Sequence, residues 1–207
     1  LHLSLRRQRQ MCIRDSLVGV PLGILAGMRR GRWADALVMR GADLLLAFPA
    51  LLLAIIAGAV WGPSTLTAMV AIGIAGIPSF ARVARSGTLQ VITQDFISSA
   101  RISAVPGWKV AWRHILPNIA GLLIVQASVY FALAILAEAG LSYLGLGTAP
   151  PAASWGRMLQ DSQSLLGTAP LQAFWPGLAI AATVLGFNLL GDALRDLLDP
   201  RLKGSAR

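Results

Sequence analysis

Residues able to do covalent or metal chemistry are scarce in this chain, and the polar ones present are spaced for something else. Two histidines, His2 and His114, and one cysteine, Cys12, occur in 207 residues. A protein-made metal centre needs three or four converging ligands, which this set does not supply. A lone cysteine makes no internal disulfide. No G-x-x-x-x-G-K-[ST] run is present to cradle a nucleotide phosphate, and no nucleophile elbow or zinc-protease pattern occurs. The polar residues gather instead in one stretch, residues 93–118, TQDFISSARISAVPGWKVAWRHILPN, between two apolar runs. What such a stretch offers is non-covalent: a basic, amphipathic surface on which a partner docks.

Its spacing predicts helix, turn, helix. Phe96, Ala100 and Ala104 recur at helical intervals, and Pro106-Gly107 breaks the pattern. Trp108, Trp112 and Ile115 then make a second apolar stripe at i, i+4 and i+7, with Lys109 and Arg113 on another face. Pro117 suits the first turn of a following membrane helix, where its missing N–H costs nothing. The plainer alternative is an interfacial helix lying in the headgroups, anchored by its tryptophans.

The elements that must position this stretch are membrane spans. The chain is 56% hydrophobic and 13% charged, about half the charge of a soluble domain. The apolar residues come in blocks. Residues 17–28 read as the second half of a span, and 44–61, 65–80, 119–137 and 171–190 as four complete ones. Phe48-Pro49 predicts a kink inside the second block. Residues 140–170 form a longer connection rich in Gly, Pro and Ser. The fold expected is all-α, a polytopic transmembrane helical bundle with about five of six spans present. No internal repeat is evident.

Charge orients the bundle. Arg29, Arg30, Arg32 and Arg40 fall in one loop. Arg82, Arg85, Arg101, Lys109 and Arg113 lie on the side of the polar stretch, and Arg195, Arg201, Lys203 and Arg207 in the tail. The opposite side carries Arg157 alone. The positive-inside rule makes the basic side, with the 93–118 stretch and the C-terminus, cytoplasmic. The net charge of +9 thus follows topology and calls for no nucleic acid. Residues 1–16, LHLSLRRQRQMCIRDS, fit no signal peptide. They read as a non-native start resembling translated adaptor sequence, and the upstream span is expected to be missing.

Other polar residues are weaker candidates. Glu138 ends a span within AEAG, and an acid at membrane depth is a functional candidate by default. Its place beside Gly140 favours capping or hydrogen-bonding to the next segment. Asp43, Asn188 and Asp192 read as packing or interface groups. No chain of buried acids and histidines suggests proton coupling. Leu141–Gly147, LSYLGLG, with Pro150-Pro151 and Ser154-Trp155-Gly156, reads as a structured external loop that could rim a pathway mouth.

Taken together, DLLLAFPALLLA (43–54), FARVAR (80–85), RHILPN (113–118), LAEAGLSYLGLGTAPPAASWGRML (136–159) and GDALRDLLDPRLKG (191–204) resemble ABC importer permeases. The likeness is closest to the second (C-type) permease of dipeptide, oligopeptide and nickel importers, and it covers nearly all of 17–203. FARVAR is similar to the approach to that family's coupling loop, whose pattern is E-A-A-x3-G-x9-I-x-L-P. Matched on Leu116-Pro117, Ser98 and Ser99 stand at the pattern's Glu and first Ala, and Ala100 keeps the second Ala. Ala104 replaces its Gly, and His114 stands at its Ile. An alanine at that Gly position suggests a turn without positive φ, with Pro106-Gly107 supplying the bend. Losing the acid removes one candidate salt bridge to an ATPase.

The resemblance implies a permease domain over 17–203 with a coupling loop at 93–117, an external loop at 140–170 and a tail at 204–207. It implies ATPase docking by Phe96, Ser98, Ser99, Ala100, Arg101 and Ala104, by Pro106 and Gly107 at the turn, and by Trp108, Lys109, Trp112, Arg113, His114, Leu116 and Pro117. It places Glu138, Leu141, Ser142, Gly145, Gly147 and Trp155 by the pathway or external loop. Its implied partners are a second homologous permease, two ABC ATPase subunits, an extracytoplasmic substrate-binding protein and membrane lipid. The chain itself would be no enzyme and bind no cofactor or metal, with ATP and Mg on partner subunits. The setting implied is a bacterial or archaeal plasma (inner) membrane. The function expected is a permease subunit forming half the pathway of an ATP-driven importer of short peptides or a related solute, nickel included. An ion-coupled transporter or channel, or a non-functional membrane remnant, are the alternatives.

Overall fold

A computed structural model of the chain describes residues 16–198; what the sequence suggests for 1–15 and 199–207 lies outside the described residues. The helices are α1 (Ser16–Met28), α2 (Trp33–Leu46), α3 (Ala50–Trp61), α4 (Thr65–Val91), α5 (Asp95–Ile102), α6 (Gly107–Val110), α7 (Leu116–Tyr143), α8 (Trp155–Ser162) and α9 (Leu171–Leu198). A π turn, Ala111–Ile115, joins α6 to α7, and a 3₁₀ turn, Gln163–Leu165, follows α8. No strand occurs among the described residues. Ser16, assigned to the start segment by sequence, opens α1.

Three stretches are long and apolar enough to cross a membrane: Thr65–Val91, Gly107–Tyr143 and Leu171–Leu197. The pair α2 and α3 passes the same test only together. The expected single span at 44–61 is therefore corrected to two helices. Pro49 sits at the N-cap of α3 with φ −56° and ψ 133°, and the residue before a proline is pushed out of the α region. What the sequence suggested as a kink is a break.

The expected end of the next span at Phe80 is also corrected, since α4 runs on to Val91. Arg82 and Arg85 stop the apolar block without stopping the helix. Phe80, Ala81, Ala84 and Thr88 keep one face buried, and both arginines find acidic partners. Ser64 starts α4 by accepting the Thr67 N–H at 3.1 Å.

The chain forms two compact units. One comprises 48–75 and 128–190 among the described residues. Its core joins Ala54, Ala57, Ala68, Met69, Ile72, Ala134 and Leu141, with Leu146 packed against it. Tyr130 donates its hydroxyl to the carbonyl of Ile72 at 2.6 Å. The rings of Phe131 and Phe187 meet at a tilt of 50°, with centroids 4.4 Å apart. The other unit comprises 16–47, 76–127 and 191–198, and it contains the whole 93–118 stretch. There α1 lies against α4 through Gly19, Gly23 and Gly27. A Cβ on Gly23 would fall 2.3 Å from the carbonyl oxygen of Ala81.

The expected loop at 140–170 is partly helical. α7 extends past the predicted end at 137 to Tyr143 and closes in a Schellman motif. Gly145 takes φ +78°, its N–H reaches the Ser142 carbonyl, and the Leu146 N–H reaches the Leu141 carbonyl. Leu141 and Ser142 are buried rather than at a loop surface.

Candidate docking site

α5 begins the site. Ile97, not Phe96, is its fully buried residue, and Phe96 is 43% exposed. The predicted apolar face of Phe96, Ala100 and Ala104 is corrected by one position. Phe96 instead lies 6.3 Å, centroid to centroid, from the half-buried ring of His114. Ser98 and Ser99 are exposed, and the Ser99 hydroxyl donates to the Asp95 carbonyl. Ser98 stands at the position where the coupling pattern has glutamate.

The turn overturns one expectation. Ala104 has φ +54°, the only non-glycine with positive φ among the described residues. The left-handed conformation costs an L-residue about 1–2 kcal/mol. Pro106 is extended at the N-cap of α6 and accepts the N–H groups of Lys109 and Val110. The turn is therefore made at Ala104, where the family pattern has Gly, because α5 closes there with the Val105 N–H bonded back to the Ala100 carbonyl at 3.1 Å. Ala104→Gly is expected to stabilise the chain by about 1 kcal/mol, read as a rise in melting temperature in detergent. A fall would mean that the alanine methyl makes a contact worth more than the strain.

Beyond the turn, α6, the π turn and α7 form one uninterrupted helical run, Gly107–Tyr143. Pro117 lies in the first turn of α7 as expected, and what is corrected is the expectation of a separate short helix before it. A proline ring clashes with the carbonyl four residues back, and the wider π turn ahead of Pro117 relieves that crowding. The Asn118 side chain donates to the His114 carbonyl at 2.7 Å, covering one acceptor in the loosened turn. A residue in a π turn advances less around the axis than in an α turn, so the predicted stripe splits. Ile115 and Val110 are buried, while Trp108 and Trp112 are 65% and 62% exposed. Lys109 holds its ammonium 5.5 Å from the Trp108 ring centroid, within cation–π range. Arg113 is exposed and Leu116 half-buried. The outcome is a surface of two tryptophans and two cations at the foot of a membrane helix.

Sequence reasoning missed the ion pairs that brace this unit. Asp35 of α2 receives two bonds from Arg85 of α4, Nε to Oδ1 at 2.7 Å and an Nη to Oδ2 at 2.9 Å. The Gly31 N–H adds a third at 3.1 Å. Asp43 pairs with Arg82 nearby, both exposed. Glycines 19, 23 and 27 were a readable signal, because small residues every fourth position in an apolar helix let another backbone approach.

In the other unit the Glu138 carboxylate oxygen Oε1 accepts from Ser142 Oγ at 2.6 Å and Thr148 Oγ1 at 3.0 Å. The Thr148 N–H donates to Ser142 Oγ, and Thr65 of α4 donates its hydroxyl to Thr148. Gly147 is required beside them, since a Cβ there would lie 2.4 Å from Ser142 Oγ. Trp155 is half-buried at the start of α8. Glu138→Ala is expected to cost about 2–3 kcal/mol by stranding two buried hydroxyls. Glu138→Gln keeps an acceptor and should cost less than half as much. Chemical denaturation in detergent separates the two; equal losses would mean that the hydrogen bonds contribute little.

Residues 19–204 match the family of binding-protein-dependent transport system inner membrane components. This chain belongs to that family. The family's inner membrane setting agrees with the long apolar helices, and the chain is a multi-pass membrane protein. It is 43% identical over 187 residues to the dipeptide transport system permease protein DppC of Alkalihalophilus pseudofirmus, covering 90% of this chain and 61% of that one. It is 46% identical over 187 residues to the glutathione transport system permease protein GsiD of Pectobacterium atrosepticum, covering 90% and 62%. The chain thus spans about three fifths of the length of these curated relatives. A chain of the MetNI methionine ABC transporter, in an inward-facing form, superposes with a TM-score of 0.74 at 16% identity, covering 95% of this chain and 93% of that one. At that identity the likeness carries the fold alone, that of the matched chain.

Proposed function

We propose that this chain is a permease subunit of an ATP-driven importer for di- or oligopeptides, glutathione-like peptides or a related solute such as nickel. It forms half of the pathway with a second, homologous permease, beneath which two ATPase subunits bind ATP and Mg. An extracytoplasmic binding protein delivers the solute. The chain performs no covalent chemistry. The names of the dipeptide and glutathione relatives support the solute class. The basic loops, by the positive-inside rule, support a cytoplasmic position for residues 93–118 and the C-terminus.

One observation carries the mechanism. Trp108, Lys109, Trp112 and Arg113 lie exposed on the first turns of the same helical run that continues to Tyr143. An ATPase pressing on this surface displaces the foot of a membrane helix with no loop between. Closure and opening of the ATPases would then rock the helices between outward and inward states. The docking surface is Phe96, Ser98 and Ser99 on one arm and the two tryptophans with Lys109 on the other.

Single cysteines at positions 108, 109 and 112 test this, in the full-length permease co-expressed with its ATPase. At least one position is expected to cross-link, and ATP should change the yield. Assembly of the complex with no cross-link at any of the three would overturn the docking assignment.

A further inference from the structure

A groove of about 1020 Å³ opens between α1 and the helical run from Gly107, within one compact unit. That is the upper end of the range for ligand pockets, about 300–1,000 Å³. One wall is a stripe of α1 including Val20 and Ile24, and the other includes Trp108, Trp112 and Leu116. Only two lining residues are polar, Ser16 and Arg29, and they lie at opposite ends of α1. The walls meet at one end, where a Cβ on Gly107 would touch Met28 Cε at 3.4 Å.

Three features identify the occupant. The groove is apolar along α1, about 20 Å at the usual rise per residue, which suits an extended hydrocarbon chain. The charge is confined to one end, where Arg29 is exposed and makes no ion pair among the described residues. Arg30 and Arg32 follow it in the loop, and Lys109 stands over Trp108. Tryptophans and arginines at the end of an apolar helix mark headgroup level, and a basic pocket between helices at that level recruits anionic lipid.

We propose that this groove seats an acyl chain of an anionic phospholipid whose phosphate rests on Arg29. The lipid would fill the space beside Trp108 and Trp112. The assignment stands on the groove and its charge alone, independently of any ATPase.

The test is native mass spectrometry of the purified chain in detergent, with phosphatidylglycerol and phosphatidylcholine of identical acyl chains at equal mole fraction. Phosphatidylglycerol should be retained about fivefold over phosphatidylcholine. Arg29→Gln, an exposed change that leaves the helices intact, should bring the ratio within about twofold. A second readout uses phosphatidylglycerol brominated on its acyl chains, which should quench tryptophan fluorescence. In a chain whose other tryptophans, Trp33, Trp61, Trp155 and Trp175, are replaced by Phe, Trp108 and Trp112 should be quenched more strongly by this lipid than by phosphatidylcholine brominated at the same acyl positions. Equal retention of the two lipids overturns the proposal, as does a ratio unchanged in Arg29→Gln. So does equal quenching of Trp108 and Trp112 by the brominated forms of the two lipids. Cross-linking of a cysteine at Ile24 to another polypeptide in the intact membrane would assign the groove to a protein helix instead.

Discussion

Gly23→Val is expected to cost more than about 3 kcal/mol and to leave little monodisperse protein in detergent. The added Cβ would sit 2.3 Å from the Ala81 carbonyl oxygen, 2.7 Å from the Ala84 Cβ and 3.0 Å from the Ala81 carbonyl carbon. Two of these are backbone atoms of α4, so no side chain can swing aside. Overpacking in a well-filled core typically costs about 1–3 kcal/mol, and a clash with backbone exceeds that because two helices must separate. In a membrane, helices associate through close van der Waals packing rather than by escaping water, so separation forfeits most of what holds α1 in place. Gly41→Ala is the internal control. It also lies in a helix, α2, but its Cβ would meet nothing within 4 Å. That change should stabilise by up to about 1 kcal/mol through helix propensity. Thermal unfolding of the two variants in the same detergent decides the matter. Similar melting temperatures would mean that α1 and α4 are farther apart than described.

Asp35→Ala is the second large loss, expected at about 3 kcal/mol. Asp35 is buried with its side chain 8% exposed, and its two oxygens take both Arg85 bonds and the Gly31 N–H. Removing the acid leaves a guanidinium without a counter-charge between two helices. The reason is desolvation more than lost attraction, and it makes a prediction that mere contact loss does not. Asp35→Leu with Arg85→Met should recover most of the stability, because replacing a buried pair by apolar groups is often neutral. The exposed neighbour Asp43→Ala should cost under about 1 kcal/mol, as surface pairs do. A double variant no better than Asp35→Ala would show that the pair acts through geometry rather than charge burial.

Much of this was legible in residues 16–198. Four apolar blocks, the basic alternate loops and the polar stretch are local patterns, and period and hydropathy reveal them directly. The end of α4 was not legible, because arginine looks like loop in a hydropathy window. It is helical here because Asp35 and Asp43, about 40–50 positions away in sequence, neutralise it. The Ala104 turn was misread for a related reason. Alanine announces a preference against positive φ, and only the path forced between α5 and α6 sets φ +54°. Gly145 was readable as a helix stop, whereas its Schellman partner carbonyls emerge only once α7 is extended to Tyr143.

By itself, the sequence determined an all-helical membrane protein, its basic alternate loops and the place of its amphipathic interruption, because these depend on short-range period and on charge counted along the chain. Only the tertiary structure decided that the interruption runs unbroken into a membrane helix through a π turn. It alone decided that Trp108 and Trp112 face outward while Ile115 is buried, and that Asp35 meets Arg85 and Glu138 meets Thr148. For Asp35 and Glu138 the physical reason is the same. A buried charge is tolerated only where a partner arrives to satisfy it, and no local pattern records which segment will supply that partner.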